Sequence, residues 1–395
     1  MTVKTLNDYE LQNKKILVRV DLNVPLNQAK ILDSSRIERL VPTVRKIIKE
    51  GGRPILISHF GRPKGKYDKL LSLEQLIPEL SRFLDCRVKF STETTGTEAL
   101  KKVEGLANGE VLLLENTRFN PQEEANELNF SKSLSELGDI FCNDAFSASH
   151  RAHASTVGVA NFMPNCIGLL MQQELTALKS VLSKPKRPVV AVVGGAKVST
   201  KIDLLSNLIQ KVDHLVIGGG MANTFLHAQG NPVGASLCEK DLKGTALNVL
   251  KRAYERGCEV HIPHDVIIAS DFKPNAKFTV VEAGKVPEGK LILDIGPSTC
   301  DKINQIFNKC ETLIWNGPMG AFEITPFDKG TNITTTFAAK LTNQNQLISV
   351  AGGGDTVSAL KNAGIVEDFS YVSLAGGAFL EWMEGKKLPG IACLE

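Results

Sequence analysis

The chain has 395 residues, of which 43% are hydrophobic and 23% charged. This length and composition are typical of a globular protein with two or three domains and exclude a disordered or fibrous chain. Its 46 Lys and Arg residues nearly balance 43 Asp and Glu residues, for a formal net charge of +3. Bulk electrostatics therefore give no reason to expect nucleic-acid or membrane binding.

In the first half of the chain, four apolar runs predict strands, and each ends in polar or charged residues: KILVRVDLNVP (15–25), PILISHFGRP (54–63), VLLLENTRFN (111–120) and IFCNDAFSASHRAH (140–153). Amphipathic segments at 37–51 and 73–84 predict helices between them. Alternating strands and helices are typical of an α/β fold. The Arg, His, Asn and Asp residues at the strand ends favour a small anionic ligand.

The segment 168–188 has a helical pattern, with apolar residues on more than one face, and ends in a basic turn between prolines. This pattern favours a helix held by two domains over a flexible tether. We therefore predict a domain over 1–170 and a second over 171–378. Each is expected to be a mostly parallel sheet flanked by helices, as in Rossmann-like folds, and the two are joined by this helix across a cleft.

The second half repeats a different unit, in which a short apolar run ends in glycine: PVVAVVGGAK (188–197), HLVIGGGMAN (214–223), LILDIGP (291–297), TLIWNGPMG (312–320), LISVAGGGDT (347–356) and YVSLAGG (371–377). Helical patterns follow at 201–212 and 355–364. Glycine lets a ligand approach the backbone closely, so this repetition predicts a parallel sheet whose carboxyl edge holds a nucleotide.

Two standard phosphate-binding signatures are absent from the sequence. No Gly-Lys pair is followed by Ser or Thr as in a Walker A loop, and GxGxxG does not occur. In GGAKVSTK (194–201), Lys197 and Lys201 are spaced to share one face of a helix that starts there, which favours a phosphate site over ordinary surface lysines. Asp355 can cap the helix after GGGDT (352–356), hold Mg²⁺ on a nucleotide, or do both.

Arg36, Arg62, Arg118 and Arg151 are predicted to lie at one edge of the first sheet. Like charges gather only where an anion compensates them, so we expect phosphate or carboxylate recognition there. His59 lies in the same strand-end pattern, whereas His150 and His153 are assigned mainly structural roles. The sequence has no GxSxG, HExxH or Ser-His-Asp order, and therefore gives no support to a hydrolase.

Eight cysteines occur without a CxxC pair or zinc-ligand spacing, which predicts reduced and mostly buried thiols. The first ten residues lack the apolar segment of a secretory signal, and no stretch reaches the roughly 20 apolar residues of a membrane span. We therefore expect a cytoplasmic protein. The missing signal argues against a periplasmic binding protein, and the missing GxGxxG against an NAD-dependent dehydrogenase.

Taken together, the motifs resemble those of the phosphoglycerate kinase family, in the same order and over nearly the whole chain. The matching blocks are RVDLNVP (19–25), SHFGRP (58–63), ENTRFN (115–120), NDAFSASHRAHAST (143–156), GGAKVSTK (194–201), GGGMANTF (218–225), WNGPMGAFE (315–323), GGGDT (352–356) and LEWMEGKKLPG (380–390). The resemblance implies reversible phosphoryl transfer between 1,3-bisphosphoglycerate and ADP, giving 3-phosphoglycerate and ATP. It also implies Mg²⁺ as cofactor, a glycolytic role and a monomer that closes about a hinge.

The resemblance also implies site residues. The 3-phosphoglycerate site would comprise Asp21, Asn23, Arg36, His59, Arg62, Arg118 and Arg151. The nucleotide site would comprise Lys201, Gly219, Gly220, Asn316, Glu323, Gly353, Gly354, Asp355 and Thr356, with the two glycines beside adenine, Glu323 on the ribose and Asp355 as magnesium ligand. Arg36, Lys197, Gly376 and Gly377 would surround the transferring phosphoryl group.

Two further features follow from the resemblance. The segment 379–395 resembles the family's tail, which packs back on the N-terminal domain. Where the family usually reads STGGGA, this chain has Ser373, Leu374 and Ala375 before Gly376, so a hydroxyl and one glycine are replaced. Residues 373–375 are therefore not assigned to the site.

Overall fold

The computed structural model describes residues 3–28 and 30–395. They form two compact units. One comprises the chain up to Leu175 together with Lys387–Glu395, and the other is Thr176–Lys386.

The first unit is built on a six-stranded parallel sheet in the order β5-β6-β4-β1-β7-β8. The sheet strands and the small β2–β3 hairpin are β1 (Lys15–Arg19), β2 (Leu26–Asn27), β3 (Lys30–Ile31), β4 (Arg53–Ile57), β5 (Val88–Ser91), β6 (Val111–Leu114), β7 (Ile140–Asn143) and β8 (Asn165–Ile167). The helices are α1 (Ser35–Lys49), α2 (Ile77–Leu84), α3 (Thr97–Glu104), α4 (Pro121–Glu124) and α5 (Leu128–Ser135).

Burial explains why these short runs become central strands. Every residue of β6 and β7 is buried, as expected for parallel strands covered by helices on both faces. The amphipathic α1 contributes Ile37, Leu40 and Val44 to the core cluster that contains β1. Parallel strands all end at the same edge, so the polar residues after β1, β4, β6 and β7 are brought together there.

The second unit has its own six-stranded parallel sheet, in the order β11-β10-β9-β15-β16-β17. Its strands are β9 (Val189–Val193), β10 (His214–Ile217), β11 (Glu259–His261), β15 (Thr312–Asn316), β16 (Ile348–Gly352) and β17 (Tyr371–Ser373). A separate antiparallel sheet, in the order β13-β12-β14, consists of β12 (Asp265–Ala269), β13 (Phe278–Glu282) and β14 (Leu291–Ile295).

The helices of this unit follow the strands in the alternation expected from the sequence. After α6 (Leu169–Leu182) they are α7 (Ile202–Leu208), α8 (Gly219–Ala228), α9 (Lys243–Glu255), α10 (Pro297–Phe307), α11 (Lys329–Asn343), α12 (Gly354–Asn362) and α13 (Gly377–Met383). All residues of β9 and β15 are buried. The predicted α/β class with two parallel sheets flanked by helices is confirmed.

The unit boundaries differ slightly from those predicted. Helix α6 spans the change of unit between Leu175 and Thr176, so the first unit extends five residues beyond position 170. Residues 379–386 belong to the second unit, and only Lys387–Glu395 joins the first. There the short helix α14 (Pro389–Ala392) is fixed by two hydrogen bonds of Gly390, from Asn143 Nδ2 to its oxygen (3.0 Å) and from its nitrogen to Ser149 O (2.8 Å).

Within residues 3–28 and 30–395, no helix combines the length and apolar character required to cross a membrane. All eight cysteines are free thiols, and five of them are buried.

Candidate active site

A polar pocket of about 550 Å³ lies at the carboxyl edge of the first unit's sheet. It is lined by Arg19, Asn23, His59, Gly61, Arg62, Lys64, Arg118, Glu124, Ser147, Ala148, His150, Arg151 and His153. Five of these side chains are permanent cations and one is a carboxylate, and that carboxylate, on Glu124, pairs with Arg118 at 3.1 Å. The positive charge of this pocket is therefore suited to a small, multiply charged anion.

Arg19, the last residue of β1, is buried and makes two contacts that fix the pocket floor. Its Nε donates to Ser155 Oγ at 3.0 Å, and Nη2 lies 3.0 Å from His59 Nδ1. Arginine is only a donor, so His59 Nδ1 accepts and the neutral imidazole carries its proton on Nε2. Burial and the charge of Arg19 hold the pKa of His59 well below its usual value, so His59 stays neutral at physiological pH.

Glu123 provides the charge that compensates Arg19 beneath the pocket. It is fully buried and accepts hydrogen bonds from Ser155 N (2.9 Å) and Ser155 Oγ (2.5 Å). Burial raises the pKa of Glu123, while Arg19 and these hydrogen bonds oppose that rise. His153 Nδ1 lies 3.9 Å from the same carboxylate, yet burial and the surrounding arginines lower the pKa of His153 to about 4. His153 is therefore a neutral group at pH 7.

Asp21 joins Arg36 to the pocket rim. Arg36 Nη1 lies 3.1 Å from Asp21 Oδ2 and donates to Asn23 O at 2.7 Å, and Ser147 Oγ donates to Asp21 Oδ2 at 2.5 Å. Burial alone would raise the pKa of Asp21, but the charge of Arg36 and the hydrogen bonds from Ser147 and Asn23 bring it below its usual value. Arg36 is the second residue of α1, beyond the β2–β3 hairpin, and these contacts hold it at the pocket rim.

Most residues expected in this site are brought together. Asn23, His59, Arg62, Arg118 and Arg151 line the pocket, and Asp21 and Arg36 connect to it through Asn23. Sequence reasoning missed Arg19, Lys64 and Ser147, and gave His150 and His153 mainly structural roles although both line the pocket. The sequence feature that points to Arg19 is its position at the end of an apolar strand, two residues before Asp21 in RVDLNVP. A charged residue at such a position needs buried partners.

The second unit contains a largely apolar cleft of about 440 Å³ at the carboxyl edge of its sheet. Its lining includes Gly195, Ala196, Gly219, Gly220, Asn223, Leu237, Phe272, Leu291, Asp294, Pro318, Met319, Gly320, Phe322, Glu323 and Asp355. Apolar walls with a few polar groups at one end suit a flat heterocycle that carries a charged tail.

Gly219 shows why glycine is required at this edge. Its φ is +67°, and a Cβ placed there would lie 2.7 Å from Gly195 O and 3.1 Å from Pro318 O. The strand-end loops that contain these residues are also joined by backbone hydrogen bonds, Gly219 N to Met319 O (2.8 Å) and Met221 N to Gly195 O (2.9 Å). A side chain at position 219 would separate loops that together form the cleft wall.

Lys201, Asn316 and Thr356 form a polar cluster beside the cleft. Lys201 Nζ donates to Asn316 Oδ1, Asn316 Nδ2 donates to Gly352 O (2.7 Å), and Gly317 N donates to Thr356 Oγ1 (2.7 Å). Burial lowers the pKa of Lys201, and the carboxylates of Asp355 and Glu384 partly offset that effect. The hydrogen bond to Asn316 thus fixes the ammonium group of Lys201 near Asp355.

The expectation that Lys197 and Lys201 share a helix face is wrong. Helix α7 begins at Ile202, and Lys201 N donates to Val198 O at 2.8 Å in a turn before it. Gly195, with φ +130°, turns the chain away from a helical path. Lys197 is consequently an exposed loop residue, whereas Lys201 is held by Asn316.

Asp355 is not the cap of α12. The N-cap is Gly353, whose φ is +100°, and Asp355 is an exposed residue in the first helical turn. Three acidic side chains line the cleft, and one of them, Asp294, accepts hydrogen bonds from Gly330 N (2.7 Å) and Ile295 N (2.9 Å). Asp355 and Glu323 remain exposed to a ligand. One exposed carboxylate beside the polar cluster fits Mg²⁺, which takes one or two carboxylates plus substrate oxygens.

Asp294 was not expected in the cleft. It is the fourth residue of β14, is 2% exposed, and burial raises its pKa to about 8. The carboxyl group of Asp294 also lies against the backbone of α11, because a Cβ at Gly330 would lie 2.5 Å from its Oδ1. A single Asp inside the apolar run LILDI was the sequence signal for a buried acid.

Near the start of α13 the replaced turn has its own hydrogen bond. Ala375 N lies 3.2 Å from Ser373 Oγ, which accepts from it. The positive φ of +54° falls on Gly376, which precedes the first helical residue, Gly377. Gly376 and Gly377 thus lie where a helix begins, as expected.

Comparisons with known proteins agree over nearly the full length. The model of the family "Phosphoglycerate kinase" matches residues 6–386. Phosphoglycerate kinases from Cereibacter sphaeroides and Ruegeria pomeroyi are each 55% identical to this chain, over 99% of it and over 99% and 98% of their own lengths. The solved phosphoglycerate kinase from Coxiella burnetii superposes with a TM-score of 0.92 at 41% identity, covering 100% of this chain and 99% of its own. That from Pyrococcus horikoshii gives 0.84 at 29% identity, covering 99% and 98%. The chain belongs to the phosphoglycerate kinase family.

Proposed function

We propose that this chain transfers a phosphoryl group reversibly between the acyl phosphate of 1,3-bisphosphoglycerate and ADP, giving 3-phosphoglycerate and ATP. It would thus be a glycolytic phosphotransferase with a carboxyl group as acceptor. Family membership supports this reaction. The observation that carries the substrate assignment is the first-unit pocket, where five cationic side chains meet one carboxylate, because such an excess of charge needs an anion to offset it.

In this proposal 3-phosphoglycerate binds in the first-unit pocket. Arg62, Arg118 and Arg151 bind its phosphate, since one guanidinium group can donate two parallel hydrogen bonds to phosphate oxygens. His59 donates from Nε2 as a neutral group, because its Nδ1 faces Arg19. Asp21 and Asn23 hold the rest of the substrate and orient Arg36. The contacts of Arg36 with Asp21 and Asn23 use Nη1, so Nη2 can meet a substrate oxygen without breaking them.

The nucleotide occupies the second-unit cleft. Adenine lies against Gly219 and Gly220, where the absence of side chains leaves the backbone accessible, and Glu323 meets the ribose. Lys201, Asn316 and the backbone of Gly353, Gly354 and Thr356 bind the phosphates at the start of α12. Asp355 is the carboxylate that would hold Mg²⁺, which neutralises charge on the phosphate oxygens when it is bound.

The acceptor in this reaction is a carboxylate, which is already ionised at pH 7, so no general base has to act. The protein's contribution is positioning and charge neutralisation. Arg36 from the first unit and Lys197 from the second would surround the transferring group, with the amides of Gly376 and Gly377 at the start of α13. Because these groups belong to different units, we propose that in-line transfer follows closure of the units about a hinge, which also excludes water.

The cellular setting belongs to the same proposal. Eight free thiols, mostly buried, are compatible with a reducing cytoplasm. We propose a monomer, since residues of a single chain supply both pockets.

An assay coupled to ATP consumption tests the reaction, with purified protein, 3-phosphoglycerate and MgATP. We expect turnover that depends on both substrates and fails without Mg²⁺. Arg36→Ala should lower kcat by roughly 10²–10³-fold with a much smaller effect on KM, because its interaction strengthens in the transition state. Arg45→Ala is the matched control, on the same helix and donating to Phe83 O at 3.0 Å. A raised KM at unchanged kcat in Arg36→Ala would exclude the catalytic role of Arg36, and no turnover by the unmodified chain would refute the function.

A further inference from the structure

Three side chains with metal-ligating atoms meet at the outer edge of the second unit's parallel sheet. His214 starts β10, and Glu259 and His261 are the first and last residues of β11. The parallel register places His214 opposite Glu259 and Val216 opposite His261. Since side chains two apart in a strand share a face, the register brings two imidazoles and one carboxylate to one place.

The distances match those between ligands of a single ion. His214 Nδ1 lies 3.1 Å from His261 Nε2 and 3.4 Å from Glu259 Oε2, and the three ligand atoms all lie within 4.8 Å of one another. Two ligands of a tetrahedral zinc ion, each bonded at about 2.0–2.1 Å, are separated by roughly 3.3 Å. The two rings are tilted by 34° and their centroids are 5.3 Å apart, so they are not stacked face to face.

We propose that His214, Glu259 and His261 form a binding site for a divalent late transition metal, with Zn²⁺ as the best-suited ion. Two imidazoles and one carboxylate are a donor set that favours Zn²⁺, Co²⁺ or Ni²⁺, whereas Mg²⁺ prefers oxygen ligands alone. The site is therefore chemically distinct from the magnesium site proposed at Asp355.

The burial of the three residues suits a site that loads from solvent. The His261 side chain is 8% exposed and provides a fixed ligand, His214 is 21% exposed, and the Glu259 side chain is 64% exposed and free to adjust. Lys302 on α10 is close enough to act electrostatically on His261, and Glu259 supplies the opposite charge. A fourth coordination position is left for water.

The site lies away from the nucleotide cleft. His214 is at the amino end of β10, whereas the glycines of the cleft follow the carboxyl end, roughly 10 Å further along the strand. A bound ion would join β11, the edge strand, to β10. We therefore expect metal binding to stabilise the second unit without being required for phosphoryl transfer.

The test uses untagged full-length protein, stripped with a chelator and then titrated with ZnCl₂ by calorimetry in millimolar MgCl₂. Titration with CoCl₂, followed by visible absorbance, reports the ligand set. We expect one equivalent to bind, a rise in Tm on addition of Zn²⁺, and the visible bands of low-symmetry Co²⁺. His214→Ala and the conservative Glu259→Gln should each weaken Zn²⁺ binding by at least about tenfold. His227→Ala, which removes a histidine of α8, should bind like the unmodified protein.

The variants retain all eight cysteines and Asp355, so binding at thiols or at the magnesium site would survive in them. Circular dichroism and the transferase assay establish that each variant is folded. Equal Zn²⁺ affinity in His214→Ala, Glu259→Gln and the unmodified protein would overturn the proposal, as would no binding up to about 1 mM Zn²⁺.

Discussion

Lys197 and Lys201 are four positions apart in the chain, yet only Lys201 is held by a side-chain partner beside the cleft. Asn316 accepts its hydrogen bond, and burial lowers its pKa. Lys197 is exposed on the loop before α7. Under the proposed function, Lys201 would bind a phosphate that stays in place, and Lys197 would bind the group that is transferred.

This difference predicts separate effects on binding. Lys201→Ala should weaken MgADP binding by roughly ten- to a hundredfold, since a charge-assisted hydrogen bond to phosphate contributes about 1.5–3 kcal/mol. Lys197→Ala should leave MgADP affinity nearly unchanged and lower kcat. Calorimetric titration of the two variants makes the comparison, and the reverse order of affinities would reject both assignments.

Asp294 predicts a dependence of stability on pH. Its pKa is about 8 in the folded protein and near 3.8 when exposed, so between these values the folded state binds more protons than the unfolded state. The contribution of Asp294 to stability is therefore lost as pH rises from about 4 to 8. Relative to the unmodified protein, Asp294→Asn should gain stability over this range, by a few kcal/mol at pH 8.

Denaturant unfolding at several pH values measures that difference. Asp301→Asn is the matched control, because Asp301 is an exposed residue of α10. A constant difference between Asp294→Asn and the unmodified protein from pH 4 to 8 would show that Asp294 is charged throughout.

Among the elements, the alternation of strands and helices was predictable, but the first residues of helices were not. Gly195, Gly219, Gly353 and Gly376 all have positive φ next to strand ends or helix starts. A run such as GGGDT reveals that a turn occurs without revealing which glycine adopts that conformation. The glycine pattern therefore predicts a helix that already begins at Lys197 and allows Asp355 as a cap, whereas the helices begin at Ile202 and Gly354 with Gly353 as the N-cap of the latter.

Contacts between residues that are far apart in the sequence could likewise not be predicted from local sequence patterns. The burial of Arg19 depends on Glu123 and Ser155, which are far from it in sequence. The meeting of His214 with Glu259 and His261 depends on the parallel register of two strands. The family motifs contain most of the pocket residues because they include the strand ends, but they assigned only five of these residues to the site: Asn23, His59, Arg62, Arg118 and Arg151.

The packing of α14 on the first unit predicts the effect of one added methyl group. A Cβ at Gly390 would lie 2.8 Å from Ser149 Cα and 3.2 Å from Ser149 O, and this backbone cannot move freely. Gly390→Ala should therefore destabilise the first unit by about 1–3 kcal/mol. Gly244→Ala on α9, where nothing lies within 4 Å, should be neutral or slightly stabilising. Urea unfolding of both variants checks the contrast, and equal stabilities would mean that the tail is loosely attached.

For the whole molecule, the proposed division of substrates between two units predicts ligand-dependent compaction. A ligand can favour a closed state only by the affinity that it gains there, so each substrate alone should close the protein partly. Small-angle scattering should give a smaller radius of gyration with 3-phosphoglycerate and a non-reactive MgATP analogue together than with either alone. An unchanged radius in the ternary complex would contradict closure, unless the free protein already has the compact value.

The return of Lys387–Glu395 to the first unit has a consequence for synthesis of the chain. Asn143 and its partner Gly390 are 247 positions apart, and at about 5–20 residues per second a ribosome needs roughly 12–50 s to make the intervening chain. Most of the first unit is therefore synthesised long before Lys387–Glu395, the segment that completes it. The second unit, in contrast, is continuous in sequence. The nascent N-terminal unit therefore remains incomplete, with the surface around Asn143 and Ser149 uncovered, until Lys387–Glu395 has been synthesised and has left the ribosome.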